Sequence, residues 1–248
     1  MKTLLLLLLA SAAGALAADL KELEVTHAGA RFRAVKVPPQ RLTLVWKDGK
    51  GEPYRTFDRV QADFAGRGRK VRFLMKAGIF EPGGIPSGLH VEAGKRLCPL
   101  NLATGNGNFF LKPNGVFAVT APGGGGAAQA FVQPAEAFAA AGERKMEVML
   151  GVQSGPLLLS KGERHPAFRE GSENKLARNG VGVDADGSVV FAITAKGQRV
   201  NLWDFAGLFL ELGCLDALFL DGDISQMAAN PAGPVESNRF GGIFVVTE

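Results

Sequence analysis

Apolar residues along this chain come mostly in short blocks of four to seven, separated by glycine, proline, asparagine or aspartate. Blocks of that length, rich in Val, Phe and Leu, predict strands. Leu23, Val25, Phe32, Val35 and Val37 alternate with polar residues, a period of two that suits half-buried strands. Leu42–Trp46 is a strand ended by the turn signal Lys47-Asp48-Gly49-Lys50. Val71–Met75, Val116–Val119, Val148–Leu159, Val181–Val183, Ser188–Thr194 and Phe240–Val246 continue the strand series. Asp184-Ala185-Asp186-Gly187 reads as a hairpin turn and lacks the later acidic ligand of a calcium loop.

One stretch has helical spacing. Leu202, Phe205, Ala206, Phe209 and Leu210 recur at threes and fours, Asn201 supplies a cap, and Gly213 stops the pattern. Residues 201–212 are therefore the main expected helix. A second helix is expected over Pro134–Arg144, and Phe57–Ala65 is a short helix or loop. No repeat and no compositional break divides the chain. The expected fold is α+β: a single domain with a strand-rich mixed sheet and one main packed helix.

The first eighteen residues differ from the rest. Lys2 precedes the leucine run Leu4–Leu9, and Ala15-Leu16-Ala17 offers a small-x-small cleavage site. This predicts a secretory signal peptide over 1–18, a mature domain over 19–248, and a periplasmic or secreted location. The apolar stretch falls short of the roughly 20 residues that span a bilayer, so no stable span is expected after cleavage. Net charge is +4 over the full chain, too small and too scattered for nucleic acid. Cys98 and Cys214 either pair or sit as small buried side chains, and neither has metal-site spacing.

Candidate chemistry centres on Leu215–Ser225. The apolar run Ala217–Leu220 stops at Asp221-Gly222-Asp223, which puts two carboxylates at the end of a strand, with Ser225 within reach. Three further polar groups sit beside glycine in apolar surroundings: Lys76-Ala77-Gly78, Gln153-Ser154-Gly155 and Arg178-Asn179-Gly180. Such groups at strand ends can reach a ligand closely, and together with Asp221 they suggest one cleft. No metal-ligand set is expected, although hard cations prefer oxygens such as those of Asp221 and Asp223. His90 and His165 are lone histidines, more often structural than catalytic.

Five motifs in order carry a resemblance: Ala77-Gly78-Ile79-Phe80, Gly107–Phe117, Gln153–Leu158, Arg178–Val183 and Leu220–Ser225. Over roughly Val71–Val246 the chain resembles the phosphodiester glycosidase domain family, in its bacterial exported branch. That family usually has Asn where this chain has Lys76, and many members have Gly at Asp223. The resemblance implies hydrolysis of a sugar–phosphate diester at the sugar carbon, releasing sugar and a phosphomonoester. The partner would be an envelope glycan or sugar-phosphate, and no cofactor is implied. Arg178 suits the phosphate, because guanidinium meets phosphate oxygens bidentately, and Lys76 adds a point charge. Asp221 suits the positive charge developing on the sugar, with Asp223 or Glu81 as second carboxylate. Ser154, Asn108, Asn114 and Ser225 are candidates for sugar hydroxyls, although Asn114-Gly115 is also a good hairpin turn. The competing readings are a non-catalytic glycan-binding protein on the same fold, motivated by Lys76, and a metal-dependent phosphodiesterase resting on Asp221 and Asp223.

Overall fold

A computed structural model describes residues 20–121, 127–142 and 146–248. The expected signal peptide over 1–18, the glycine tip at 123–126 and the end of the Pro134–Arg144 helix lie outside the described residues.

The alternating blocks assemble into three main antiparallel sheets. A seven-stranded sheet runs, in spatial order, 22–27, 30–37, 189–194, 179–184, 214–221, 157–160 and 163–164. A five-stranded sheet orders 129–134, 115–120, 148–154, 90–92 and 95–98. A four-stranded sheet orders 227–229, 71–76, 243–247 and 42–45. Every strand pairing between described residues is antiparallel, so several antiparallel sheets stand where a mixed sheet was expected.

One central core joins all three. Val35, Phe191, Leu218 and Leu220 come from the first sheet, Phe117 and Val152 from the second, and Phe73, Met75 and Phe244 from the third. Phe73, Phe117 and Phe244 all pack round Phe191. Because side chains alternate along a strand, each sheet also presents an outer apolar face that must be covered. Three helices supply the covers: α1 (Phe57–Gly66), α2 (Ala135–Ala141) and α3 (Leu202–Glu211). Helix α1 packs Phe57, Val60 and Phe64 with Leu74 and Val245 of the four-stranded sheet. Helix α2 sets Phe138 against Val116 and Ala118. Helix α3 lays Phe205 and Phe209 over Ala34, Ala192 and Phe219.

The main helix starts where its cap was expected: Asn201 Oδ1 accepts from the Asp204 amide at 2.8 Å. The Asp184–Gly187 turn is a hairpin, with Asp184 Oδ1 accepting from the amides of Asp186 and Ser188. Asn114-Gly115 is not a hairpin turn. Asn114 is fully buried, and Gly115 opens a strand of the five-stranded sheet. Cys98 and Cys214 are both free and buried, so the small-side-chain alternative holds for them. None of the described helices is long and apolar enough to cross a membrane.

Candidate functional site

The strand Cys214–Asp221 ends in an irregularity that decides where Asp221 points. Gly180 pairs with Phe219, but Asn179 pairs with Asp221, so Leu220 and Asp221 together oppose one residue. A bulge of this kind breaks the in-out alternation and re-aims a side chain. It swings Asp221 out of the alternation that puts Phe219 under α3. The carboxylate meets the end of the strand Val71–Lys76: Asp221 Oδ2 lies 2.5 Å from Lys76 Nζ. Asp221 Oδ1 accepts from its neighbour, the Gly222 amide, at 2.7 Å.

Lys76 is wholly buried, while the Asp221 side chain keeps 23% of its surface. An ammonium has three donors. Lys76 uses them on Asp221, on the Ala77 carbonyl at 3.0 Å and on the Gly78 carbonyl at 2.8 Å. The ring of Phe80 lies 5.1 Å below the charge. Burial pushes the Lys76 pKa down from its ordinary value, against the pull of Asp221. The expectation that Lys76 adds a free charge for phosphate therefore meets a geometric obstacle: its donors are already committed.

Two glycines explain why the motifs meet here. A Cβ on Gly78 would stand 2.7 Å from the Gln153 carbonyl, and one on Gly155 would stand 2.6 Å from Asn114 Cβ. Backbones that approach this closely admit no side chain. Ser154, buried between them, donates to the Leu220 carbonyl at 3.0 Å and accepts from the Ile79 amide at 3.3 Å. It stitches three of the five motifs together. Asn179, also buried, donates to the Lys76 carbonyl at 3.0 Å and accepts from Ser225 Oγ at 2.9 Å. In the sequence Asn179 stands beside Gly180 and next to the charged Arg178; its place opposite Asp221 is set by strand register and has no local signature.

The remaining candidates scatter. Asn114 Nδ2 donates to the Phe109 carbonyl, and its buried Oδ1 meets no donor among the described residues. The Asn108 carbonyl lies on the same turn, 3.3 Å from where a Gly155 Cβ would be. Glu81 is exposed and accepts from Ser87 Oγ at 2.7 Å. It follows Phe80, whose ring lies 5.1 Å from Lys76 Nζ. Asp223 Oδ1 accepts from the Ala177 amide at 3.0 Å, which fastens one loop to another. Among the described residues, no group of three or more His, Cys, Asp and Glu side chains converges to hold a metal. A divalent ion at Asp221 would meet the charge of the Lys76 ammonium, 2.5 Å from Oδ2.

Arg178 departs most from its expected role. It is 1% exposed. Its Nε donates to the Val200 carbonyl and its Nη2 to the Asn174 carbonyl, while the guanidinium lies 5.4 Å from the Phe219 ring. Phe219 and Val200 belong to the core under α3, across the sheet from Lys76 and Asp221. Strand alternation is the reason: with Asn179 turned toward Lys76, its predecessor faces the other way. Burial pushes the Arg178 pKa down to about 10, with Asp223 opposing. We expect Arg178→Met to lower stability by about 2–4 kcal/mol, from two carbonyls left without donors in the interior. Urea midpoints would measure this, and a variant as stable as wild type would refute it. The apparent KM for an anionic substrate should not move.

Residues 69–242 match the family model described as phosphodiester glycosidase. The chain belongs to the phosphodiester glycosidase family. It is 34% identical over 198 residues to the uncharacterised protein YigE of Escherichia coli K12, covering 79% of this chain and 73% of that one. Its fold is similar to the zebrafish N-acetylglucosamine-1-phosphodiester alpha-N-acetylglucosaminidase catalytic domain, solved with its pro-peptide inhibiting it. The TM-score is 0.64 at 15% identity, with 93% of this chain and 82% of that chain covered. A Burkholderia pseudomallei chain whose name provisionally places it among exported proteins shares the fold at TM-score 0.55 and 13% identity. That likeness covers 88% of this chain and 74% of the other. The phosphodiester glycosidase family is a hydrolase family, and the Lys76–Asp221 pair falls within the matched residues.

Proposed function

We propose that this protein is an exported, single-domain hydrolase that cleaves a sugar–phosphate diester at the sugar carbon. The observation that carries the reading is the Asp221 carboxylate, held partly open to solvent at a bulged strand end by a buried cation. A phosphomonoester leaves readily, so the site's main task is to support positive charge developing on the sugar. Asp221 supplies a fixed negative charge for that purpose, pre-oriented by Lys76 Nζ and the Gly222 amide. Glu81, exposed and one residue beyond Phe80, is the candidate second carboxylate. The N-acetylglucosaminyl phosphodiester in the zebrafish enzyme's name suggests the substrate class to try first. A cleaved leader over 1–18 and a domain over 19–248, acting on an envelope glycan or sugar-phosphate without a cofactor, complete the proposal.

Purified protein incubated with an N-acetylglucosaminyl phosphodiester is expected to release free sugar and leave a phosphomonoester. It should turn over an uncharged aryl glycoside of the same sugar more slowly. Equal rates on the two, or cleavage on the other side of phosphorus to leave a sugar phosphate, would exclude the reading.

A second reading has its own support. Lys76 stands where the family usually has Asn and neutralises Asp221. That favours a glycan-binding protein that kept the fold and lost the reaction. Lys76→Asn separates the two. A wild-type protein that binds the diester without cleaving it, while Lys76→Asn cleaves, would establish the binding protein.

A further inference from the structure

If Arg178 is built into the core and the donors of Lys76 are taken, the phosphate of a diester needs another cation. Arg55 has the required properties. It lies just before α1, outside the matched residues 69–242. Its backbone has φ of +69°, the left-handed region that is strained for a non-glycine residue. The strain is held by neighbours on both sides: the Tyr54 amide donates to the Trp46 carbonyl, and the Arg55 carbonyl accepts from the Phe240 amide at 2.6 Å.

The side chain is half-buried, and its Nε and Nη1 are shut away from solvent with no acceptor in reach among the described residues. Buried polar groups are almost always paired, so two idle donors on one permanent cation call for a reason. The guanidinium lies directly against Gly84, where a Cβ would overlap it. Gly83 and Gly84 both have positive φ, at +86° and +77°, so the turn is shaped to pass close over the cation.

This place is continuous with the Lys76–Asp221 pair. The Gly84 carbonyl and Phe80 Cβ both crowd the same spot beside Gly241, and the Phe80 ring flanks Lys76 Nζ. Arg55, Gly84, Phe80, Lys76 and Asp221 thus form one contiguous path. The exposed Glu81-Pro82-Gly83 segment forms its outer edge.

We propose that Arg55, beneath the Gly83–Gly84 turn, is the cation that receives the phosphoryl oxygens of the ligand, which meet Nε and Nη1 when the turn moves off them. The proposal rests on the phosphodiester reading for its substrate, but not on turnover. A guanidinium stays charged at any working pH and suits phosphate geometry better than an ammonium. Charge-assisted bonds to one such group correspond to about a ten- to hundredfold change in affinity.

The test uses the full mature chain labelled with ¹⁵N-arginine and titrated with inorganic phosphate. The Arg55 Nε–H signal, assigned by its loss in Arg55→Lys, is expected to shift and saturate. The apparent Kd for phosphate, read by isothermal titration calorimetry in both proteins, should weaken about tenfold or more in Arg55→Lys. With a glycosyl phosphodiester, Arg55→Gln should raise KM about ten- to hundredfold and leave KM for an uncharged aryl glycoside unchanged. Saturable movement of the Arg55 signal in a protein that cleaves nothing would support the phosphate site and defeat the hydrolase reading. Normal diester cleavage with an unmoved Arg55 signal would overturn this proposal and leave the hydrolase reading intact. The titration is made on wild-type protein, so poor folding of a variant cannot rescue the idea.

Discussion

Asp221→Asn is expected to reduce turnover of a glycosyl phosphodiester by about a hundredfold or more, the scale of losing a principal electrostatic group. The substitution keeps shape but replaces one carboxylate oxygen by an NH₂ group. Both oxygens have assigned partners, Lys76 Nζ on one side and the Gly222 amide on the other, and both partners are donors. An amide can accept from only one of them. Its own N–H then faces the other donor, so the variant loses the negative charge and misaligns the group that remains. Lys76 is also left as a buried cation without a counter-charge, a costly state. Stability should fall along with turnover, so the rate must be referred to the folded fraction, followed by near-UV circular dichroism. Binding of the intact diester should be largely kept, because the fixed charge matters most to the transition state. Turnover within a few-fold of wild type in fully folded Asp221→Asn would remove Asp221 from the chemistry.

Legibility of the chain in its sequence depended on how local each cause was. The strands and the α3 helix follow from spacing and caps within a dozen residues, and Asn201 capping Asp204 is such a local cause. How the strands divide into three sheets is not local. It is set by which outer faces α1, α2 and α3 cover, and α1 lies more than a hundred residues from the strand Ile243–Thr247 that it helps to bury. The same distinction runs through the site. Glycine beside Lys76, Ser154 and Asn179 marked close backbone approach, and those motifs do meet. Which side chain of each motif faces inward was not legible, because a shift of one position reverses the face. That is why Arg178 was read where Asn179 stands. The bulge that re-aims Asp221 has no distinct signature beyond the glycine that follows. Arg55 gave no signal either: an arginine before a helix is ordinary until its donors are found buried.

Lys76→Met is expected to lower stability by about 2–3 kcal/mol at neutral pH, and the deficit should grow as the solution is made alkaline. The first part follows from the partners. Methionine fills most of the lysine's space, but the carbonyls of Ala77 and Gly78 lose their buried donor and Asp221 loses its cation. Removing one member of a buried pair costs about 3–5 kcal/mol, and the solvent still reaching Asp221 reduces that. The second part follows from the direction of the Lys76 pKa, which burial holds below the ordinary 10.5. Below the folded pKa, both folded and unfolded wild-type chains carry the proton, and the difference from Lys76→Met is constant. Between the folded pKa and 10.5, the unfolded chain binds a proton that the folded chain has shed. Stability of the wild type then rises with pH relative to a variant that cannot titrate there. Above 10.5 the difference is flat again, because both states are deprotonated. All other groups titrate in both proteins, so subtracting the two urea-unfolding profiles isolates Lys76. If the Asp221 ion pair outweighed desolvation, the folded pKa would lie above 10.5 and the gap would narrow as pH rose through it. Unfolding free energies at pH 7, 9, 10.5 and 11.5 for the two proteins decide between these signs, and a gap that narrows above 10.5 would show the pair to be held by attraction despite its burial.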